Sequence, residues 1–151
     1  MNFSYALRFL SSIIIAGVLS IAAITLADII SGSSSVGNSS SVTITQVTVA
    51  KPESTAADDV LIAGIAVNGG SPATITPPVG WNLISRTDND TDISIISYWK
   101  VAGNSEPASY TWTINSQTRA IGGITRYSGV DTSNPIDVVG GASGRSTTAV
   151  A

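Results

Sequence analysis

Asp88, Asp90 and Asp92 stand at alternate positions in the run RTDNDTD, and of all the side chains in this sequence they come nearest to a recognisable chemistry. A D-x-D-x-D run that curls into a loop can offer several hard oxygens to a calcium ion. The EF-hand continuation of that pattern fails at two later positions. Ile93 stands where such a loop needs glycine, and Trp99 where it needs a bidentate glutamate. Calcium at these three aspartates is the one metal expectation, set against a plain solvated hairpin loop, and no other cofactor is expected.

Other chemistries find less support. The chain has neither histidine nor cysteine, which removes the usual general base, the thiolate nucleophile, zinc-thiolate sites and disulfides. A serine nucleophile would need a lysine partner, and Lys51 and Lys100 sit in no motif that supplies one. Carboxylates for glycosidase-type work would come from Asp58, Asp59, Glu106 and Asp137, all beside strand ends or turns where solvated acids are ordinary. The run GGASG at residues 140–144 lacks the lysine and the following helix of a phosphate loop. No enzymatic activity is therefore expected.

Binding residues are a different matter. Trp81 follows a Pro-Val-Gly turn and could offer its ring to a sugar, whereas Trp112 alternates in phase with Tyr110 and Ile114 as a core residue would. Asn68 opens an Asn-Gly-Gly turn. The loops at residues 68–71 and 88–92 are the expected contact surface. The net charge is −3 and the seven basic residues are scattered singly, so the basic footprint that nucleic acid requires is missing.

The elements that must position these residues read as strands. VTITQVTVA (42–50) alternates and then changes phase near Gln46, which suggests a bulge before Lys51-Pro52 ends it. VLIAGIAV (60–67) is apolar on both faces, as in a central strand. A short strand at 73–76 stops at Pro77-Pro78, and residues 80–84 begin another run. Three longer runs follow at 93–101, 109–114 and 119–127, with Gly122-Gly123 leaving room for close approach in the last. About seven strands at roughly ten-residue spacing predict an all-β, antiparallel β-sandwich. The run SGRSTTAVA at 143–151 starts another β-prone stretch, which raises the expectation that closing strands are missing.

Ahead of the domain, Arg8 precedes 19 uncharged residues rich in Ile, Leu and Ala. Residues 1–27 read as a hydrophobic helix serving either as a cleaved signal peptide or as a membrane anchor, the chain's one expected tie to a membrane. Export to the cell surface or beyond follows in both cases. Residues 28–41, containing SGSSSVGNSSS, read as a flexible linker, so that the domain would span 42–151.

The segments PPVGWNLISRT, YWKVAGNSEPASYTWT and GGITRYSGVDTSNPID resemble a module that recurs in large secreted bacterial surface proteins and some phage structural proteins. The resemblance runs from about residue 42 onward. It implies an extracellular, jelly-roll-like sandwich, usually longer than this chain, and carries no site residues with it. The expected function is an exported, non-catalytic surface module for adhesion or structural contact, with a glycan or a protein surface as partner. A carbohydrate-binding module using Trp81 and a subunit of a filament or virion are the alternatives.

Overall fold

The computed structural model describes residues 28–38 and 43–143. The hydrophobic segment 1–27 expected to be helical, and the last residues from 144, lie outside the described part. Eight strands form: β1 (Ile30–Asn38), β2 (Ile44–Ala50), β3 (Val60–Asn68), β4 (Ile75–Thr76), β5 (Asn82–Asn89), β6 (Ile93–Val101), β7 (Ser109–Thr118) and β8 (Ala120–Ser128). They make a five-stranded sheet in the order β1-β8-β3-β6-β5 and a three-stranded sheet in the order β2-β7-β4, with every pairing antiparallel. No helix occurs among the described residues.

This is a β-sandwich with the winding of a jelly roll. Such a fold is a long hairpin wrapped on itself, which sets the first strand beside the last, the second beside the seventh and the third beside the sixth. All three pairings are present here. The departure is β5, which would ordinarily lie beside β4 but pairs instead with β6. Pro77 and Pro78 directly follow β4, and the missing amide donors hold that strand to two residues.

Each strand alternates in burial as its sequence dictates. In β3, Leu61, Ala63, Ile65 and Val67 are at most 1% exposed and face the second sheet, while Gly64 is open to solvent. β3 is central, as its sequence suggests, but its outer face is only partly covered: Ile62 and Ala66 are half-buried. Ile96 of β6 and Ile124 of β8 flank it on the inner side, and Val47, Val49, Tyr110, Trp112 and Ile114 meet them from the opposite sheet. Gly122 faces inward beside Ile65 and Val47, where any added Cβ would lie 2.6 Å from Ile65 Cδ1. The expected phase change in β2 is real, with the register against β7 shifting between Ile44 and Gln46.

One expectation changes. The Ser/Gly-rich stretch read as a linker is largely β1, an edge strand paired along β8 from Ile30↔Ser128 to Asn38↔Ile121. Its small residues suit a tight corner. Inward-facing Ser33 and Ser35 donate their hydroxyls to the carbonyls of Glu53 and Ala50, and Gly37 sits directly against the Thr48 carbonyl, where a Cβ would collide. Composition suggested flexibility, but the serines satisfy backbone groups at the junction of the two sheets. In the larger sheet β8 lies between β1 and β3.

Candidate functional site

The β3–β4 and β5–β6 loops meet at one end of the sandwich. β3 ends at Asn68, whose N–H donates to the Arg119 carbonyl at 2.9 Å and whose own carbonyl accepts from Thr118 Oγ1 at 2.6 Å. Gly69 and Gly70 then turn the chain with φ of 116° and 56°, a region glycine enters without steric cost. At the neighbouring hairpin Asp90 takes φ 48°, and the Asp92 N–H closes back on the Asn89 carbonyl at 3.0 Å. The two loops are joined by their backbones: Gly69 N–H donates to Asp92 O and Ser71 N–H to Asp90 O, both at 2.8 Å. Gly70 must be glycine for a second reason, since a Cβ there would run into the Asp90 carbonyl.

Arg86 fastens this junction from beneath. It lies on the inner face of β5, paired with Ile96, and its Nη2 donates to the carbonyls of Gly70 at 3.1 Å and Ser71 at 3.4 Å and to Ser94 Oγ at 3.0 Å. Its Nε donates to Asp88 at 2.8 Å and 3.1 Å to the two carboxylate oxygens. Fully buried Ser94 donates its hydroxyl to Asp88 Oδ1. That hydrogen bond, together with Arg86, holds the Asp88 carboxyl below its usual range against the opposing effect of burial.

The sequence thus brought Asn68, Asp88, Asp90 and Asp92 to one place, but not into one set of ligands. Asp88 points inward and is engaged by Arg86 and Ser94, whereas Asp90 and Asp92 are exposed on the hairpin. Among the described residues no group of three His, Cys, Asp or Glu is arranged to hold a metal ion. Asp88 is thus committed within the fold, apart from Asp90 and Asp92 on the hairpin. Residues two apart on a strand share a face but lie about 7 Å apart, so a D-x-D-x-D run gathers around one ion only where the backbone coils, and here the first aspartate still belongs to β5.

Trp81, expected as a ligand-binding ring, lies at the other end of the sandwich and is turned into the core. It is 6% exposed, edge-on to Tyr110 and Trp112 with ring centroids 5.1 Å away in each case. The turn that precedes it leaves Val79 exposed at the surface and turns the indole inward. An open cleft of about 480 Å³ beside it is lined by Val79, Lys100, Glu106, Pro107 and Tyr110 among others. Glu106 is a hub there, accepting from Gly103 N–H at 2.7 Å, from Tyr110 OH at 2.7 Å and from Lys100 Nζ at 3.2 Å. Burial pushes its carboxyl upward, but these three donors outweigh burial and hold it below its ordinary value. Burial and the adjacent carboxylate together push the Tyr110 hydroxyl well upward, so it remains a donor. The cluster ties the β6–β7 loop to both of its strands. Nothing in the sequence flagged the Arg86 clamp; Arg86 reads there as one polar residue of a loop.

In comparisons with known proteins, no family model, no curated protein and no solved structure matches this chain.

Proposed function

We propose that this chain is an exported, non-catalytic surface module that acts by contact, through the joined loops at the Asn68 end of the sandwich. The observation that carries the reading is the Arg86 junction. It fixes two loops as one unit whose outward side chains, Asn68, Ser71, Asp90, Thr91 and Asp92, are polar and exposed. A surface held in place before binding loses little conformational freedom on meeting its partner, which is where loop-borne contact sites gain affinity. Export rests on Arg8 and the uncharged run after it. A sugar-binding reading that depends on an exposed Trp81 is not retained, since that ring is enclosed.

The partner fitted by this tip offers hydrogen-bond donors to two exposed carboxylates. Binding of the purified protein to arrayed glycans and to immobilised cell-surface material tests this, alongside Asp90→Lys and Asp92→Lys variants. Binding that falls at least tenfold in the double variant is the expected result. Binding that is unchanged by both substitutions would show that the tip is not the contact surface.

A further inference from the structure

β4 ends where its ladder with β7 would next need a donor. Asn115 N–H donates to the Thr74 carbonyl at 3.0 Å, and the register continues through Ile75↔Ile114 to Thr76↔Thr113. Backbone groups of successive strand residues point to opposite sides. Asn115, Thr113, Thr111 and Ser109 therefore present theirs toward β4, and the residues between them toward β2, as Ala108 does in accepting from Lys51 N–H at 2.8 Å. Residue 78 falls opposite Thr111 and is proline, which has no N–H to give. Its carbonyl accepts instead from Trp81 N–H at 3.3 Å as the chain turns away toward β5. Among the described residues, the N–H and C=O of Thr111 and of Ser109 thus have no backbone partner on this edge. They open onto the cleft of about 480 Å³, which is also lined by Pro78, Val79 and Pro107.

We infer that this edge binds an extended peptide segment of a partner protein, which adds as a strand antiparallel to β7 in the line that β4 leaves at Pro77. The backbone sets the class of ligand. Two N–H donors and two C=O acceptors lie on the edge in donor–acceptor pairs about 6.8 Å apart, the spacing of alternate strand residues. An extended main chain matches that array group for group, and leaving such groups unpaired under a docked surface would be costly. The surroundings narrow the choice further. Val79 is 99% exposed and, with Pro107, offers apolar contact to side chains of the added strand. Lys100 and Glu106 neutralise each other at 3.2 Å, so the cleft asks for no charge on its ligand. A segment one strand wide fits between the turn at Pro78-Val79 and the β6–β7 loop, whereas a second folded copy would have to bring a whole sheet past protruding Val79. The fitted partner is therefore an uncharged, β-prone segment, and its site lies at the opposite end of the sandwich from the Asn68 loops.

Amide exchange in isotope-labelled full-length protein tests this, with acetyl-Thr-Val-Thr-Val-Thr-amide as the probe. In the free protein the Thr111 amide is expected to exchange at least tenfold faster than that of Trp112, which is paired with Val47 of β2. Millimolar peptide should slow Thr111 at least fivefold and leave the resonances of Asp90 and Thr91 in place. The same peptide with its amides N-methylated keeps its side chains but loses its donors, and should have no effect. Equal slowing by both peptides, or none by either, would overturn the proposal. So would a Thr111 amide that is already slow before peptide is added. Protection that persists on dilution would assign the edge to this chain's own residues, and protection lost on dilution would assign it to a second copy. The protein is unaltered throughout and the Asn68 loops serve only as a control, so failure here is separate from failure of the contact reading.

Discussion

Glu106→Gln gives the sharpest test of how this sandwich holds its loops. The carboxylate is 7% exposed and accepts from Gly103, Tyr110 and Lys100. A carboxamide of the same shape keeps one acceptor oxygen for Gly103 or Tyr110 but gives up the charge-assisted contact. Hydrogen bonds to charged groups contribute about 1.5–3 kcal/mol. Lys100 is 18% exposed and can regain water, so the loss stays below the ~3–5 kcal/mol of a fully buried orphan charge. The expected cost is about 2 kcal/mol at pH 7, or roughly 8 °C in Tm for a domain of this size. Urea unfolding followed by the fluorescence of buried Trp81 and Trp112 measures it.

The pH dependence separates this account from a packing effect. The carboxyl of Glu106 lies lower in the folded chain than its ordinary value of 4.5, so the ionised form is the one the fold favours. Its contribution is complete above that value and is lost as pH falls through the depressed folded value. Glutamine does not titrate. The stability gap between wild type and Glu106→Gln therefore closes once the pH is taken below the depressed folded value, where the wild-type side chain is itself neutral. A gap under about 0.5 kcal/mol at pH 7 refutes the hub; a gap equally large at both pH values refutes its electrostatic origin.

Gly122→Ala should destabilise by about 1–3 kcal/mol, because its Cβ lands 2.6 Å from Ile65 Cδ1 and 2.9 Å from Val47 Cγ1. Gly123→Ala, outward with its nearest atom at 3.4 Å, should be neutral within about 0.5 kcal/mol, and urea midpoints of the pair test the inward–outward assignment. Replacing both Ser33 and Ser35 by alanine should cost about 1–2 kcal/mol for two lost hydroxyl donors, whereas a flexible linker would show no change in midpoint.

The sandwich class was legible because period-two alternation and turn residues act locally, so Tyr110, Trp112 and Ile114 announce an inward face with no knowledge of their partners. The jelly-roll winding was implied by the resemblance to the surface-protein module, whereas strand count and spacing indicated a sandwich alone. What stayed hidden depends on long-range partners. Serine and glycine in β1 look like a linker until the carbonyls of Glu53, Ala50 and Thr48 are placed beside them. Trp81 could not be assigned from its turn alone, because its burial depends on Tyr110 and Trp112 arriving from a strand nearly thirty residues later. The three aspartates were rightly placed near Asn68, but periodicity could not tell that Asp88 was already committed to an arginine two residues away.

The displacement of β5 explains why the Asn68 end of the sandwich is built as it is. Beside β4, it would have been the fourth strand of the smaller sheet, and the inner face of β6 near Ser94 would have met a neighbouring strand. Paired with β6 instead, it leaves that corner of the larger sheet to be covered by the β3–β4 loop. A loop brings carbonyls that no ladder satisfies, and carbonyls turned toward a sheet interior need donors. Arg86 supplies them to Gly70 and Ser71, and its charge in turn needs Asp88, with Ser94 completing the set. Polar residues on an inner strand face, which would count against a core position in an ordinary sandwich, are thus the consequence of one strand changing sheets.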